Sequence, residues 1–370
     1  PIEMSAMEDP WSLVRLGLGS LAEESWRVKQ AFREMPKAWK LRPPSGPSGS
    51  WWQEYEQTQT FDQFKRAVPF RPNTVSCIQV AVVGDEELIA RQMNFDQVLK
   101  HVEVFTGFKV VQRGGIDHPM PRMRLSAAGQ RTSMDGLPQI GGHYVLAFLQ
   151  GFLDPRAACT LAVTPVDLYP PEQYDFVTGM MDPGDRLGLF SSARYFHQHE
   201  EAHRSSVVDI DGDSRELGLG AGFPQTPSVR SRRLELSKIF AKLLCRESLK
   251  LCGAKECHLL HCLMNPLPET DGQVLPEAIA HVPFSLCCIC LRKLQWLTQA
   301  DLLDRYARLP PVINSWFFEE TQWLWERMVQ VGMPTAVCLS IPEPTGSKFK
   351  FGLPKRRNGK KPEDGEDGDF

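Results

Sequence analysis

Ten cysteines stand in this chain of 370 residues, and seven of them (Cys245, Cys252, Cys257, Cys262, Cys287, Cys288 and Cys290) fall in one short window. That crowding limits the fold more than any other feature, because thiols forced together either cross-link or bind a metal. The segment from Pro1 to Trp11 lacks the basic-then-apolar pattern of a secretory leader, so a cytoplasmic, reducing setting is expected, in which metal binding takes precedence over disulfides. No run approaches the ~18 uninterrupted apolar residues of a membrane helix, so no membrane partner is expected. A formal net charge of -3 lacks the basic excess of a nucleic-acid binder. With 42% hydrophobic residues the chain has material for one large core or two ordinary ones.

The hydrophobic pattern predicts how the rest is arranged. Residues 1–71 read as an N-terminal extension with a helix over Leu21–Lys40 and a Pro/Gly/Ser linker over Arg42–Ser50. The aromatics after it (Trp51, Trp52, Tyr55, Phe61, Phe64) should pack on a neighbouring surface. Ser76–Val83 is a buried strand, Glu86–Phe105 a helix ended by Gly107, and Phe108–Val111 a second strand. Gln139–Leu153 reads as an apolar helix, Cys159–Leu168 as a buried strand, and Leu187–Phe196 as a shorter strand at a sheet edge. Strands alternating with helices give a mixed α/β sheet packed on helices. Ser231–Cys252 is a long helix stopped by Gly253. Thr298–Leu309 and Asn314–Val331 follow as helices, the second with a core stripe of Trp316, Phe317, Trp323, Leu324 and Met328. The expected division is a sheet unit at 72–253, a Cys-rich unit at 254–309, a Trp-rich helical end at 310–350 and a charged, disordered tail at 351–370. The tail's Lys355, Arg356, Arg357, Lys360 and Lys361 offer a nuclear-import signal as the alternative to a solvated end.

Cys257 and Cys262 form one close pair and Cys287 and Cys290 a second, joined by a loop containing Pro266, Pro268, Gly272 and Pro276. Two close pairs on a flexible connection can surround one Zn²⁺ tetrahedrally, and four thiolates leave no open position, so the site would be structural. Cys288 is a candidate stand-in for a neighbour.

The runs Cys257-His258-Leu259-Leu260-His261-Cys262-Leu263-Met264 and Cys287-Cys288-Ile289-Cys290-Leu291-Arg292-Lys293-Leu294-Gln295 resemble the signature of the archaemetzincins, zinc metallopeptidases of the metzincin type. Asp167-Leu168-Tyr169-Pro170 and Ser192-Ala193-Arg194-Tyr195-Phe196 add weaker similarity. The resemblance spans about Val75 to Leu309 and implies a metzincin-like mixed twisted sheet packed on helices, with a C-terminal subdomain that binds zinc through four cysteines. It also implies a catalytic helix bearing H-E-x-x-H-x-x-G-x-x-H just before the first cysteine, with two histidines a turn apart, a Glu that activates the metal-bound water, and a third histidine after a Gly turn. In that register Glu247 and Gly253 stand at the Glu and Gly positions, while Arg246, Lys250 and Glu256 replace the histidines. Fixed cations repel Zn²⁺. The resemblance therefore implies a retained structural zinc, a lost catalytic one, and a charge network of Arg246, Glu247, Lys250 and Glu256 in its place. Met264 matches the methionine that underlies the metal and would remain as packing.

One literal H-E-x-x-H does occur, at His199-Glu200-Glu201-Ala202-His203. If helical, it sets His199 and His203 on one face with Glu200 as base, giving an alternative zinc peptidase centre. The segment has no apolar face, and its nearest carboxylates (Asp209, Asp211, Asp213) sit in a loop-like stretch, so an exposed histidine cluster is the expected reading. Asp209–Asp213 itself reads as an acidic turn, since it lacks the distant Glu of a calcium loop. The functional expectation is a peptidase homologue with an impaired centre whose groove binds extended peptide by adding a strand along Leu187–Phe196.

Overall fold

The computed structural model describes residues 9–330 except 23–28, 30–31, 33–38, 45–49, 114–128, 172–174, 196–228, 271–272 and 275. The His199–His203 motif, the Asp209–Asp213 turn, most of the predicted Leu21–Lys40 helix and the C-terminal tail lie outside the described residues. A five-stranded sheet forms the centre, built from β1 (Cys77–Val82), β2 (Lys109–Arg113), β5 (Ala157–Thr164), β7 (Gly179–Asp182) and β8 (Leu187–Ser191) in the order β2-β1-β5-β8-β7. Its first four strands run parallel, and β7 closes the far edge antiparallel to β8. Every residue of β5 and β8 is buried, as expected of central strands covered on both faces.

This order corrects the edge assignment. Leu187–Ser191 lies inside the sheet, and the edge belongs to Gly179–Asp182, a run too short and too poor in β-formers to announce itself. Two further readings change for local reasons. Cys159–Leu168 is not one strand: the chain turns at Pro165, where Val166 N–H donates to Thr164 Oγ1 (3.2 Å), and β6 (Asp167–Tyr169) crosses into a second sheet. There it pairs with β4 (Pro138–Gly141), itself paired with β3 (Gln130–Thr132). The predicted Gln139–Leu153 helix thus starts as strand β4, and the helix proper is Gly142–Gln150. The single helix expected over Glu86–Phe105 is two, Glu86–Gln92 and Phe95–Thr106, because Met93 is extended and Asn94 N–H donates to Ser237 Oγ (2.9 Å).

The long helix Val229–Leu251 lies against the Phe95–Thr106 helix and the sheet, burying Phe240, Leu244 and Leu249. Beyond it, after the short helix Pro276–His281, come three longer helices among the described residues, Cys288–Thr298, Leu302–Ile313 and Phe318–Gln330. The first was not foreseen, and the second runs through Pro310 and Pro311 to Ile313. Phe317, Leu324 and Met328 join the common core.

The N-terminal segment belongs to the same body. Helix Pro10–Leu18, also unforeseen, lays Gly17 against Ile289 so closely that a Cβ there would stand 2.8 Å from the Ile289 side chain. Arg292 donates to the Leu18 and Ser20 carbonyls at that helix's end. The aromatics of the short helices Trp51–Gln57 and Phe61–Ala67 pack as expected: Phe61 and Phe64 meet Trp296 edge-on, with ring centroids 6.5 and 5.9 Å away. Leu41 pairs with Leu260, which brings the N-terminal chain onto the cysteine loop.

Candidate metal centre and cleft

The four cysteines foreseen as ligands converge. The sulfurs of Cys257, Cys262, Cys287 and Cys290 all lie within 4.8 Å of one another, and all four residues are buried. Cys257 Sγ and Cys287 Sγ are 3.6 Å apart. Tetrahedral Zn–S bonds of about 2.3 Å require sulfur separations of about 3.8 Å, so the donor set fits Zn²⁺. Backbone amides already point at the sulfurs: Cys287 N–H to Cys262 Sγ at 3.3 Å, and Cys290 N–H to Cys287 Sγ at 3.5 Å as the cap of helix Cys288–Thr298. Such donors orient and stabilise thiolate ligands. Hydrogen bonds from Cys262, Cys287 and Cys290 hold Cys257 well below the usual thiol range. Burial then pushes Cys287 up, and the bond with Cys257 raises Cys290. Cys288 is no stand-in, since it lies outside the cluster and burial raises its thiol. Cys245 is raised by burial, and Cys252 by its bond with Cys159 and by burial, so neither is an activated nucleophile.

Asn265 holds the cysteine loop in shape. Its Nδ2 donates to Cys257 O (2.6 Å) and Leu260 O (2.7 Å), and its Oδ1 accepts from Cys262 N–H (2.9 Å). Cys257 N–H donates to the carbonyl of Met264, a fully buried residue, which closes the loop. The sequence reading missed Asn265, although a buried amide between paired cysteines is the residue type such a tight loop needs.

One turn back along the chain stands the second cluster. Gly253 adopts φ +93°, and a Cβ there would lie 3.2 Å from Ala67 O. Gly253 N–H and Ala254 N–H donate to Lys250 O and Leu249 O, both at 2.9 Å, which ends the long helix and sends the chain back over its own last turns. This return brings Glu256 to Arg246: Nη2 to Oε1 is 2.6 Å. Arg246 Nη1 meets Glu247 Oε1 at 3.0 Å, and Lys250 Nζ stands 3.4 Å from Glu247 Oε2. Arg246 Nη2 also donates to Asn265 O (3.0 Å), which joins the charge cluster to the cysteine loop. Arg246 and Glu247 are buried, Lys250 is partly open, and Glu256 reaches the surface. The four residues named from the sequence are thus one ion-pair network with a guanidinium at its centre. The network contains two cations and two carboxylates and no imidazole.

Lys250 and Glu256 of this network reach the floor of a cavity of about 370 Å³ lined also by Leu251, Lys255, His258 and, across the gap, Met181 and Pro183 of the edge hairpin. Gln59 braces this floor, donating to Gly253 O (3.0 Å) and accepting from Lys255 N–H and Lys293 Nζ (3.1 Å each). His258 sits 3.4 Å from buried Glu54.

In comparisons with known proteins, no protein-family model matches the chain. Archaemetzincin-1 of Mus musculus is 35% identical over 180 residues, which are 47% of this chain and 34% of the relative. Archaemetzincin-2 of Mus musculus is 30% identical over 184 residues, 48% of this chain and 47% of the relative. The matched stretch therefore spans about a third to a half of the length of these relatives. Among solved structures, archaemetzincin from Methanopyrus kandleri superposes with a TM-score of 0.38 at 17% identity, over 61% of this chain and 97% of its own.

Proposed function

Because the chain is a homologue of the archaemetzincins over about half its length, we propose that it is a non-catalytic member of that metallopeptidase family, which keeps the structural zinc and uses its cleft to bind extended peptide. One observation carries this reading. Arg246, with 1% of its side chain exposed, is bonded to both Glu247 and Glu256, so a fixed cation sits among the residues that the family resemblance assigns to the catalytic metal. Glu247 stands at the position of the general base, and in this chain it is an ion-pair acceptor. When bound, the zinc of the four cysteines would tie the loop 257–265 to helix Cys288–Thr298 and supply no reactive water. The peptide would add to the outer side of β7 (Gly179–Asp182), which replaces Leu187–Phe196 as the edge and carries no strand there among the described residues. A cytoplasmic location belongs to the same proposal and agrees with buried thiols that form no disulfide among the described cysteines. No helix among the described residues is long and apolar enough to cross a membrane.

Elemental analysis of the purified full chain tests the reading. We expect about one zinc per chain, lost in the Cys257→Ser/Cys287→Ser variant. Fluorogenic peptides should remain uncut, with no difference between the protein and its Glu247→Gln variant, while binding to the chain is retained. A second zinc that disappears with His199→Ala, accompanied by peptide cleavage that Glu200→Gln abolishes, would replace this proposal with the alternative zinc centre.

A further inference from the structure

The cleft reading above does not say which part of a peptide the cavity receives, and the geometry of its mouth does. Strand β7 ends at Asp182, whose Oδ1 gathers Gly184 N–H (2.9 Å) and Asp185 N–H (3.2 Å) to turn the chain back into β8. The next residue, Pro183, has no N–H to offer an incoming strand. A peptide laid along the outer side of β7 therefore runs out of backbone partners beside Met181 and Pro183, at the mouth of the cavity. A chain that continued past this point would leave unpaired backbone, whereas one that ends there loses nothing.

Charge then selects which end. Of the residues that line the cavity, Lys250 and Lys255 are cations and Glu256 is the carboxylate, its charge already met by Arg246 behind it. Arg246 is spent on its two carboxylates and the Asn265 carbonyl. Lys250 is held only loosely, 3.4 Å from a Glu247 oxygen that accepts no hydrogen bond, and its side chain is 28% exposed. Lys255 is exposed at the same mouth, and no carboxylate among the described residues pairs with it. His258 Nδ1 faces Glu54 Oε2 at 3.4 Å. An N-terminal ammonium would add to the positive charge of the two lysines, while a carboxylate offsets it. Met181, Leu251 and Ala254 give apolar lining for the last side chain.

We propose that this cavity binds the free C-terminal carboxylate of an extended peptide laid along β7, received by Lys250 and Lys255, with a small or aliphatic last residue over Met181 and Leu251. The inference rests on the peptide-binding reading of the cleft and adds its polarity and its end group. It requires no bond to break.

Fluorescence polarisation on the full zinc-loaded chain tests it with three N-terminally fluorescein-labelled hexapeptide pools of randomised aliphatic residues. One pool ends in a free carboxylate, one in a carboxamide, and one in a carboxamide with a single internal Glu. A charge-assisted contact predicts that the free-acid pool binds at least about tenfold more tightly than either amide pool. Lys255→Gln, at an exposed position, should cut this preference several-fold, and Lys250→Gln/Lys255→Gln should close it to less than about twofold, with circular dichroism unchanged. Equal binding of the free-acid and amide pools overturns the end-group inference and leaves the peptide-binding reading standing. Preference for the internal-Glu amide assigns the lysines to an acidic side chain and also overturns it. Absence of binding by all three pools removes both.

Discussion

Replacing Arg246 by Met tests whether the guanidinium is the keystone of the cleft floor. The residue gives three bonds: to Glu247 Oε1 at 3.0 Å, Glu256 Oε1 at 2.6 Å and Asn265 O at 3.0 Å. Met fills similar volume, so little of the effect will come from a cavity. Glu247, with 7% of its side chain exposed, keeps only Lys250 at 3.4 Å. Removing one partner from a buried ion pair costs about 3–5 kcal/mol. The residual contact to Lys250 places this case at the lower end of that range. Glu256 is 35% exposed and returns to water, so its share stays below about 1 kcal/mol. The Asn265 carbonyl, stripped of a charged donor, adds about 1 kcal/mol. Arg246→Met should therefore lower unfolding free energy by about 4–5 kcal/mol. Adding Glu247→Gln removes the stranded charge and should recover about half of that loss. Urea unfolding followed by circular dichroism, with zinc saturating and metal content checked on each variant, gives both numbers. A loss under ~1 kcal/mol for the single variant, or a double variant no more stable than the single, would show that the network carries no net load.

Two shorter predictions concern the surrounding body. His101 is fully buried, stacked on Trp316 with ring centroids 4.1 Å apart, and burial holds it down to about 4 from its ordinary 6.5. A folded value below the unfolded one means its stabilisation is complete above pH 6.5 and is lost as the pH falls toward 4, by up to about 3 kcal/mol; His101→Phe should flatten that limb of the stability profile. Asn265→Ala removes three buried hydrogen bonds of 2.6, 2.7 and 2.9 Å from the cysteine loop, costing about 3 kcal/mol, and should speed zinc release to a chromogenic chelator while Arg246 stays in place.

What the sequence disclosed depended on how local the cause was. The cysteine pairs, Gly253 and the spacing of Arg246, Glu247 and Lys250 act over one or two turns of chain, so the four-cysteine group and the charge cluster could be named by residue. Glu256 entered through the Gly253 turn, which the positive φ explains. The cleft was not legible, because its far wall is Met181 and Pro183, and nothing in Gly179–Asp182 states that β8 would be covered by it. The uninterrupted apolar run Leu187–Phe190 argued against an edge from the start, since an edge strand needs a polar face. Asn265, Gln59 and the Pro10–Leu18 helix act through partners many residues away, a relation that spacing does not encode.

On the proposed reading the cluster takes the place of a metal, and that exchange is a charge problem. A metal held by three imidazoles beside one carboxylate leaves a local charge of +1, whereas Arg246, Lys250, Glu247 and Glu256 sum to zero. Arg246 alone, placed beside a bound dication, would repel it, and Glu256 alone would still be a competent ligand. Each cation is tolerable only with the extra carboxylate, and Glu256 stands 2.6 Å from the guanidinium it neutralises. Reversal should therefore be all or none. Arg246→His by itself leaves Lys250 within reach of Glu247 and should bind no second zinc. Arg246→His/Lys250→His/Glu256→His leaves one carboxylate among three neutral ligands and should raise the metal content from about one to about two per chain, measured by elemental analysis with the four cysteines intact. If the single reversion took up zinc as well as the triple, Lys250 would not be excluding the ion, and the charge argument for the proposed loss would fail.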